Sequence, residues 1–309
     1  MSERRIETLD ELTPEAADAV LGLIGAAAAA DGQPAVSEQG RLYVRRGARE
    51  GVRHLLLWTG GDGDPVLTGY GQLDGADPVE APAAEFLVHP EHRSQGHGTA
   101  LARALLDASG RRLRVWAHGG HPAARHLARQ LNLKLFRELR QMRRPLGPDA
   151  EPLPDPALPA DVTVRAFVPG QDEDAWLAVN AAAFAHHPEQ GGLTAQDLSD
   201  REAEPWFDPA GFFLAFRDGE LAGFHWTKVH ADAGAEPLGE VYVVGVAPGR
   251  QGGGLGRALT AIGLRHLEQD RALRTVLLYV DADNTAAVHV YEKLGFTTYE
   301  VDLMYRTEN

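Results

Sequence analysis

No cysteine occurs among the 309 residues, which excludes disulfides, thiolate metal sites and a cysteine nucleophile. Basic residues are in deficit, 30 against 44 acidic, for a formal charge of -14. Such a balance repels nucleic acid and anionic membranes unless a local patch overrides it. Arg111, Arg112 and Arg114, then Arg137, Arg140, Arg143 and Arg144, are candidate patches, but apolar residues interleave them and they read as strand faces or solvated edges. A long apolar run is missing too: the start is charged, and residues 20–30 are too few to span a bilayer. A cytoplasmic monomer with no nucleic-acid or membrane partner is expected. His186 and His187 have no cysteine or carboxylate at dependable ligand spacing, so no metal is expected.

Glycine is plentiful, and its placement carries the most information. A β-branched strand at residues 241–246 runs into Gln251, Gly252, Gly253, Gly254, Leu255, Gly256 and Arg257, which open a helix. Glycine lets backbone approach an anion, and the first amides of a helix lack intrahelical acceptors and carry the positive end of its dipole. A second copy lies upstream: Leu87, Val88 and His89, then Arg93, Ser94, Gln95, Gly96, His97 and Gly98. Val88, Pro90, Gly96, Gly98, Ala100 and Leu101 fall at one offset on Val246, Pro248, Gly254, Gly256, Ala258 and Leu259. After a small shift, residues 123–133 fall on 286–296, so the chain reads as a tandem repeat. The division is 1–145, a proline-rich semi-rigid linker at 146–159, and 160–309.

Hydrophobic periodicity and turn residues predict the same order of elements twice. The first half has a helix at 14–30, a hairpin of 54–59 with 65–73 around residues 60–64, and a strand at 85–88. A helix at 96–108, a strand at 113–117, a helix at 123–130 and a strand from Lys134 follow. The second has a strand at 162–166, helices at 172–184 and 195–203, a hairpin of 212–217 with 221–230, and a strand at 240–246. A helix at 254–269, a strand at 275–280, a helix at 284–293 and a strand at 297–306 complete it. The fold class is α+β, each half a mixed, mostly antiparallel sheet flanked by helices.

The loop lacks the lysine and hydroxyl of a nucleotide P-loop, and it follows a hairpin where a dinucleotide fingerprint opens a βαβ unit. What remains is Gln/Arg-x-x-Gly-x-Gly, followed by Asn284-x-x-Ala287-x-x-x-Tyr291-x-x-x-Gly295-Phe296. In these motifs the chain resembles the GNAT superfamily of acetyl-CoA-dependent acyltransferases. The resemblance implies a strand that splays from its neighbour, with Val244, Gly245 and Val246 along the pantetheine arm and residues 251–257 around the pyrophosphate. Asn284, Thr285, Ala286, Ala287, Val288 and His289 would meet the lower part of acetyl-CoA, and Leu87 to Gly98 would play the matching part in the first half.

Acyl transfer to an amine needs a base for the nitrogen and an acid for the departing thiolate. The resemblance implies Glu240 as the base and Tyr291 as the acid. Tyr291 falls on Ala128 and Glu240 on Pro82, so the first half is expected to hold acetyl-CoA without catalysing, or to support the second half structurally. Residues 184–192, 225–228 and 278–280 look like a two-domain branch of the superfamily that acetylates the cysteine amine of a cysteinyl-glucosaminyl-inositol, a small thiol-sugar. That likeness implies Glu38, Glu189, Lys228, Glu240 and Tyr279 in the acceptor pocket. Another tandem acetyltransferase, for an aminoglycoside or protein amine, and a non-catalytic acetyl-CoA sensor stand as alternatives.

Overall fold

The computed structural model describes residues 4–60, 65–76, 79–231 and 236–308, except for the side chains of Pro188 and Glu189. The turn at 61–64, expected to join the first hairpin, lies outside the described residues. The chain divides into two compact units, one of residues 1–139 with 300–309 and the other of residues 140–299. The division is therefore not serial: the end of the last strand belongs to the first unit.

In the first unit, β1 (Arg4–Leu9), α1 (Pro14–Asp31) and α2 (Glu38–Arg45) precede the hairpin of β2 (Val52–Thr59) and β3 (Val66–Asp74). β4 (Ala83–Val88), α3 (His97–Ala108), β5 (Arg114–Ala117), α4 (Pro122–Gln130) and β6 (Leu133–Pro145) follow. β1 to β4 pair antiparallel in chain order, and β4 pairs parallel with β5. α1 starts where Thr13 accepts from the Ala16 amide and stops at left-handed Gly32. Its small apolar residues pack with Leu56, Tyr70 and Leu87 on one face of the sheet, while α3 covers Leu55, Leu57 and Leu73 on the other.

The second unit repeats the plan. β7 (Val162–Ala166) is followed by α5 (Glu173–Ala183), the single turn α6 (Pro188–Gly191) and α7 (Ala195–Glu202). β8 (Phe212–Arg217), β9 (Glu220–His230), β10 (Leu238–Val246), α8 (Leu255–Arg265), β11 (Thr275–Asp281), α9 (Thr285–Lys293) and the first residues of β12 (Thr297–Thr307) complete it. β7 to β10 pair antiparallel and β10 pairs parallel with β11. An aromatic core of Trp176, Phe212, Phe224 and Trp226 lies between α5 and the sheet. α8 and α9 cover the opposite face through Leu264, Val276, Leu278 and Val288. The helix predicted over 254–269 changes character in its last turn: past Arg265 the ladder widens to a π turn over His266–Asp270, with the Arg271 amide bonded to the His266 carbonyl.

Residues 146–159 hold no helix or strand, as their prolines dictate, yet they are strapped to the second unit. Leu146 is buried in its core, the Gly147 amide donates to Glu268, and Arg265 donates to Asp155. Leu303 to Arg306 of β12 pair antiparallel with β5 of the first unit.

Candidate active site and cofactor cleft

Each unit contains a parallel strand pair joined only at its base. β10 meets β11 at Gly239–Val276 and Glu240–Leu277, and β4 meets β5 at Ala83–Arg114 and Ala84–Val115. Beyond those residues the ladders stop, so 241–246 and 85–88 present backbone to an open seam. An extended chain carrying amides can hydrogen-bond such an edge.

At the end of each seam lies a glycine loop. Gly252, Gly253 and Gly254 have φ of 91°, 60° and 81°, left-handed values that side chains with a Cβ resist. Gly254 caps α8 at φ 81°, ψ 6°, and Gly96 caps α3 at φ 80°, ψ 6°. The two loops are thus the same device. A Cβ on Gly252, Gly253 or Gly254 would meet nothing within 4 Å, so backbone conformation and not crowding demands glycine there. Leu255 contributes only its amide, because its side chain is buried in the core, and Arg257 is exposed one turn on.

Several expected contacts are already committed within the protein. Arg93 grips Asp31 through both guanidinium nitrogens at 2.6 and 2.8 Å, holding that carboxyl below the usual range, and also donates to the Val88 carbonyl. It braces the first loop, where Ser94, Gln95 and Gly96 are exposed. Arg4 adds a cation by donating to the carbonyls of Gln95 and Gly96. His89 accepts from the Glu91 amide as a cap, and His97 is buried at the start of α3. In the second unit, Asn284 accepts from the Ala287 amide to cap α9 and Val288 lies in the core. Asn284, Thr285, Ala286 and His289 are exposed. A cavity of about 480 Å³ occupies the first unit's seam, lined by Val88, Arg93, Gly96, Gly98, Trp116 and Ala128 among others.

Tyr291 packs on the second core from α9, its ring 5.9 Å from that of Phe296. Burial pushes its phenol up to about 12, so it keeps its proton throughout the ordinary pH range.

Across the sheet from α8 and α9, the second unit gathers polar groups on one face. Glu240 is opposite Lys228 in the β9–β10 register and opposite Leu277 on β11, which puts Tyr279, two residues on, on the same face. Glu240 and Lys228 are buried, with 7% and 6% exposure, whereas Tyr279 is exposed and accepts a hydrogen bond from Gln141 of β6. The Lys228 ammonium lies 4.2 Å from the ring centre of Trp206 and 5.2 Å from that of Tyr242, attractive cation–π geometry. Arg201 donates to the Tyr242 hydroxyl at 2.8 Å. A bulge between Val241 and Val243 turns both Tyr242 and Val243 toward the aromatic core.

Sequence reasoning missed His230, whose Nε2 lies 2.6 Å from Oε2 of Glu240. The alternation of β9 gives the signal, since residues 226, 228 and 230 share a face. His187, from the segment before α6, reaches Asp281 at 3.6 Å. Glu189 stands in α6, its side chain outside the described residues. Glu38 opens α2 in the first unit, while Lys228, Glu240 and Tyr279 belong to the second.

The first unit offers a different arrangement around β4. Glu85 takes hydrogen bonds from the amide and hydroxyl of Ser37 and meets Nε2 of His118 at 2.8 Å, whose Nδ1 meets Asp302 at 3.0 Å. Burial opposes a charge on His118, but bonds to Asp302 and Glu85 outweigh it and hold the imidazolium up to about 10. This carboxylate is saturated and serves as a structural lock. Ala128 stands where α9 has Tyr291 and is buried.

Among the described residues, no helix is long and apolar enough to cross a membrane, and no cluster of three histidine, aspartate or glutamate side chains is arranged to hold a metal.

Comparison with known proteins accords with this geometry. The acetyltransferase (GNAT) family model matches residues 23–132 and again 180–296. Over 307 residues the chain is 71% identical to a mycothiol acetyltransferase of Streptomyces avermitilis, covering 99% of this chain and 96% of that one. A mycothiol acetyltransferase of Thermobispora bispora is 55% identical over 95% of this chain and 97% of its own length. Among solved structures, a GCN5-related N-acetyltransferase from Sphaerobacter thermophilus aligns with a TM-score of 0.65 at 25% identity, over 98% of this chain and 95% of that one. A tandem GNAT protein from the clavulanic acid biosynthesis pathway shares the fold at a TM-score of 0.70 and 19% identity, over 99% of this chain and 98% of that one. With both repeats matched and relatives alike from end to end, the chain belongs to the acetyltransferase (GNAT) family.

Proposed function

We propose that this protein transfers acetyl from acetyl-CoA to the cysteine amine of cysteinyl-glucosaminyl-inositol, giving mycothiol and CoA, and that the second unit performs the chemistry. The observation that carries the reading is the pairing, in that unit alone, of an open seam and glycine loop with Glu240, Lys228 and Tyr279 on one sheet face and Tyr291 on the opposite helix. Likeness along the whole chain to relatives named mycothiol acetyltransferase supports the acceptor.

Acetyl-CoA, when bound, supplies an activated thioester carbonyl. The loop amides at 251–256 and the start of α8 offer donors and a positive dipole end to a pyrophosphate. The α-amine of the acceptor has a pKa of about 8 unperturbed, so it needs modest help to become a nucleophile. Glu240 accepts that proton. Tyr291 presents a phenol proton toward the departing sulfur. Lys228, fixed by its aromatic neighbours, donates to sugar oxygens, and Glu189 and Tyr279 offer further partners to amine and hydroxyls. Because thiolate is also a good nucleophile, geometry must present nitrogen to the thioester.

The first unit holds acetyl-CoA in its seam and does not turn it over. Ala128 supplies no proton where Tyr291 does, and Glu85 is occupied by Ser37 and His118. Glu38 is proposed as a further acceptor contact on the strength of the resemblance.

The test is turnover, read as CoA release and product mass, on cysteinyl-glucosaminyl-inositol beside aminoglycosides and protein amines. Rapid N-acetylation of the first is expected. Turnover confined to the other amines, or absent with all of them, overturns the reading.

A further inference from the structure

We infer that His230 is the positioning residue that fixes the Glu240 carboxylate in the orientation in which it works as a base; the inference rests on the proposed role of Glu240. Leu238 pairs with His230 and Glu240 with Lys228, which places His230 and Glu240 diagonally across the β9–β10 ladder on one face. Nε2 and Oε2 are 2.6 Å apart, a short hydrogen bond. The Glu240 side chain is 9% exposed and that of His230 is 31% exposed. The imidazole thus joins a buried carboxylate to solvent.

With Nε2–H donating to Oε2, the carboxylate cannot rotate freely, and Oε1 is left as the oxygen for the acceptor's ammonium. The proton step balances simply: an N–H bond of the ammonium breaks, an O–H bond forms on Glu240, and the amine keeps the electron pair with which it attacks. Without the imidazole, the carboxylate loses the donor that holds it in place.

Among the described residues, the other charged and titratable groups around Glu240 have partners of their own. Lys228 is opposite on β9 but sits over Trp206 and Tyr242. Tyr279 on β11 bonds to Gln141. Arg201 of α7 bonds to Tyr242, and His187 reaches Asp281 at the end of β11.

The experiment measures kcat and the KM of each substrate, cysteinyl-glucosaminyl-inositol and acetyl-CoA, in the full chain, for the native protein and for His230→Leu, His230→Gln and Glu240→Gln. In His230→Leu kcat should fall by about tenfold or more, with an unchanged KM for acetyl-CoA. His230→Gln keeps an N–H donor and should restore most of the native kcat. If the leucine variant does not fold, His230→Asn, whose amide stops short of the carboxylate, takes its place with the same expectations. A native kcat in these donor-lacking variants, or a loss that His230→Gln does not restore, overturns the inference. Should they behave as native while Glu240→Gln is inactive, His230 has no such role and Glu240 remains the base; native turnover in Glu240→Gln refutes the parent reading itself.

Discussion

Replacing Gly254 or Gly96 by alanine applies the same backbone penalty to two loops with different proposed duties. Both glycines cap their helices at nearly identical angles, φ 81° and 80° with ψ 6° in each. A Cβ at Gly254 meets nothing within 4 Å, and one at Gly96 comes no nearer than 3.8 Å to the Arg4 guanidinium. Steric overlap therefore contributes nothing, and the cost is that of a left-handed L-residue, about 1–2 kcal/mol. If the loop relaxes to avoid that strain, its amides leave the positions a pyrophosphate requires, and the same energy appears as about a 5–30-fold loss of affinity. Calorimetry with acetyl-CoA, together with steady-state kinetics, separates the sites. Gly254→Ala should raise the KM for acetyl-CoA by about 5–30-fold, whereas Gly96→Ala should weaken the other calorimetric site and leave turnover near native. An equal fall in kcat/KM from both substitutions, or native binding in both, would show that the two loops do not have these separate duties.

Removing His118 leaves Glu85 and Asp302 buried without their cation, so His118→Ala should lose roughly 3–5 kcal/mol in denaturant unfolding. Because folding raises the His118 pKa from its ordinary 6.5 to about 10, its contribution is fully present below pH 6.5 and fades as pH rises through about 10. Native unfolding followed across that window should show the decline. Lys228→Met keeps much of the apolar stem but removes the donor; the KM for the thiol-sugar should rise about tenfold or more, with acetyl-CoA affinity unchanged by calorimetry. A Cβ on Gly245 would lie 2.8 Å from the Phe224 ring and 3.2 Å from that of Phe184, so Gly245→Ala should destabilise the second unit by about 1–3 kcal/mol, read as a lower unfolding midpoint.

Local patterns made most elements legible. The strand at Val162–Ala166 has the bounds its alternation predicts, and the repeated glycine spacing anticipated two loops with matching dihedral angles. β1 was missed because Arg4, Arg5 and Glu7 mask its alternation, and α2 because Gly40 interrupts a short helical pattern. The pairing of Leu303 to Arg306 with β5 is non-local, and no periodicity within a strand names its partner. Proline correctly predicted an irregular segment at 146–159 but said nothing of the buried Leu146 or the carboxylate under Gly147. At the site, spacing and resemblance singled out Glu240, Lys228 and Tyr291. His230 and the cage of Trp206 and Tyr242 became visible only through cross-strand register and tertiary packing.

On the proposed function both units hold acetyl-CoA, and the second alone moves protons during amide formation. The double variant Glu240→Gln/Tyr291→Phe, assayed for acetyl-CoA stoichiometry and for acetylation of cysteinyl-glucosaminyl-inositol, tests this asymmetry. Two cofactor sites per chain with acetylation reduced at least a hundredfold is the predicted result, in line with the factors of about 10²–10⁴ typical of a general acid or base. Native acetylation by that variant would contradict the account.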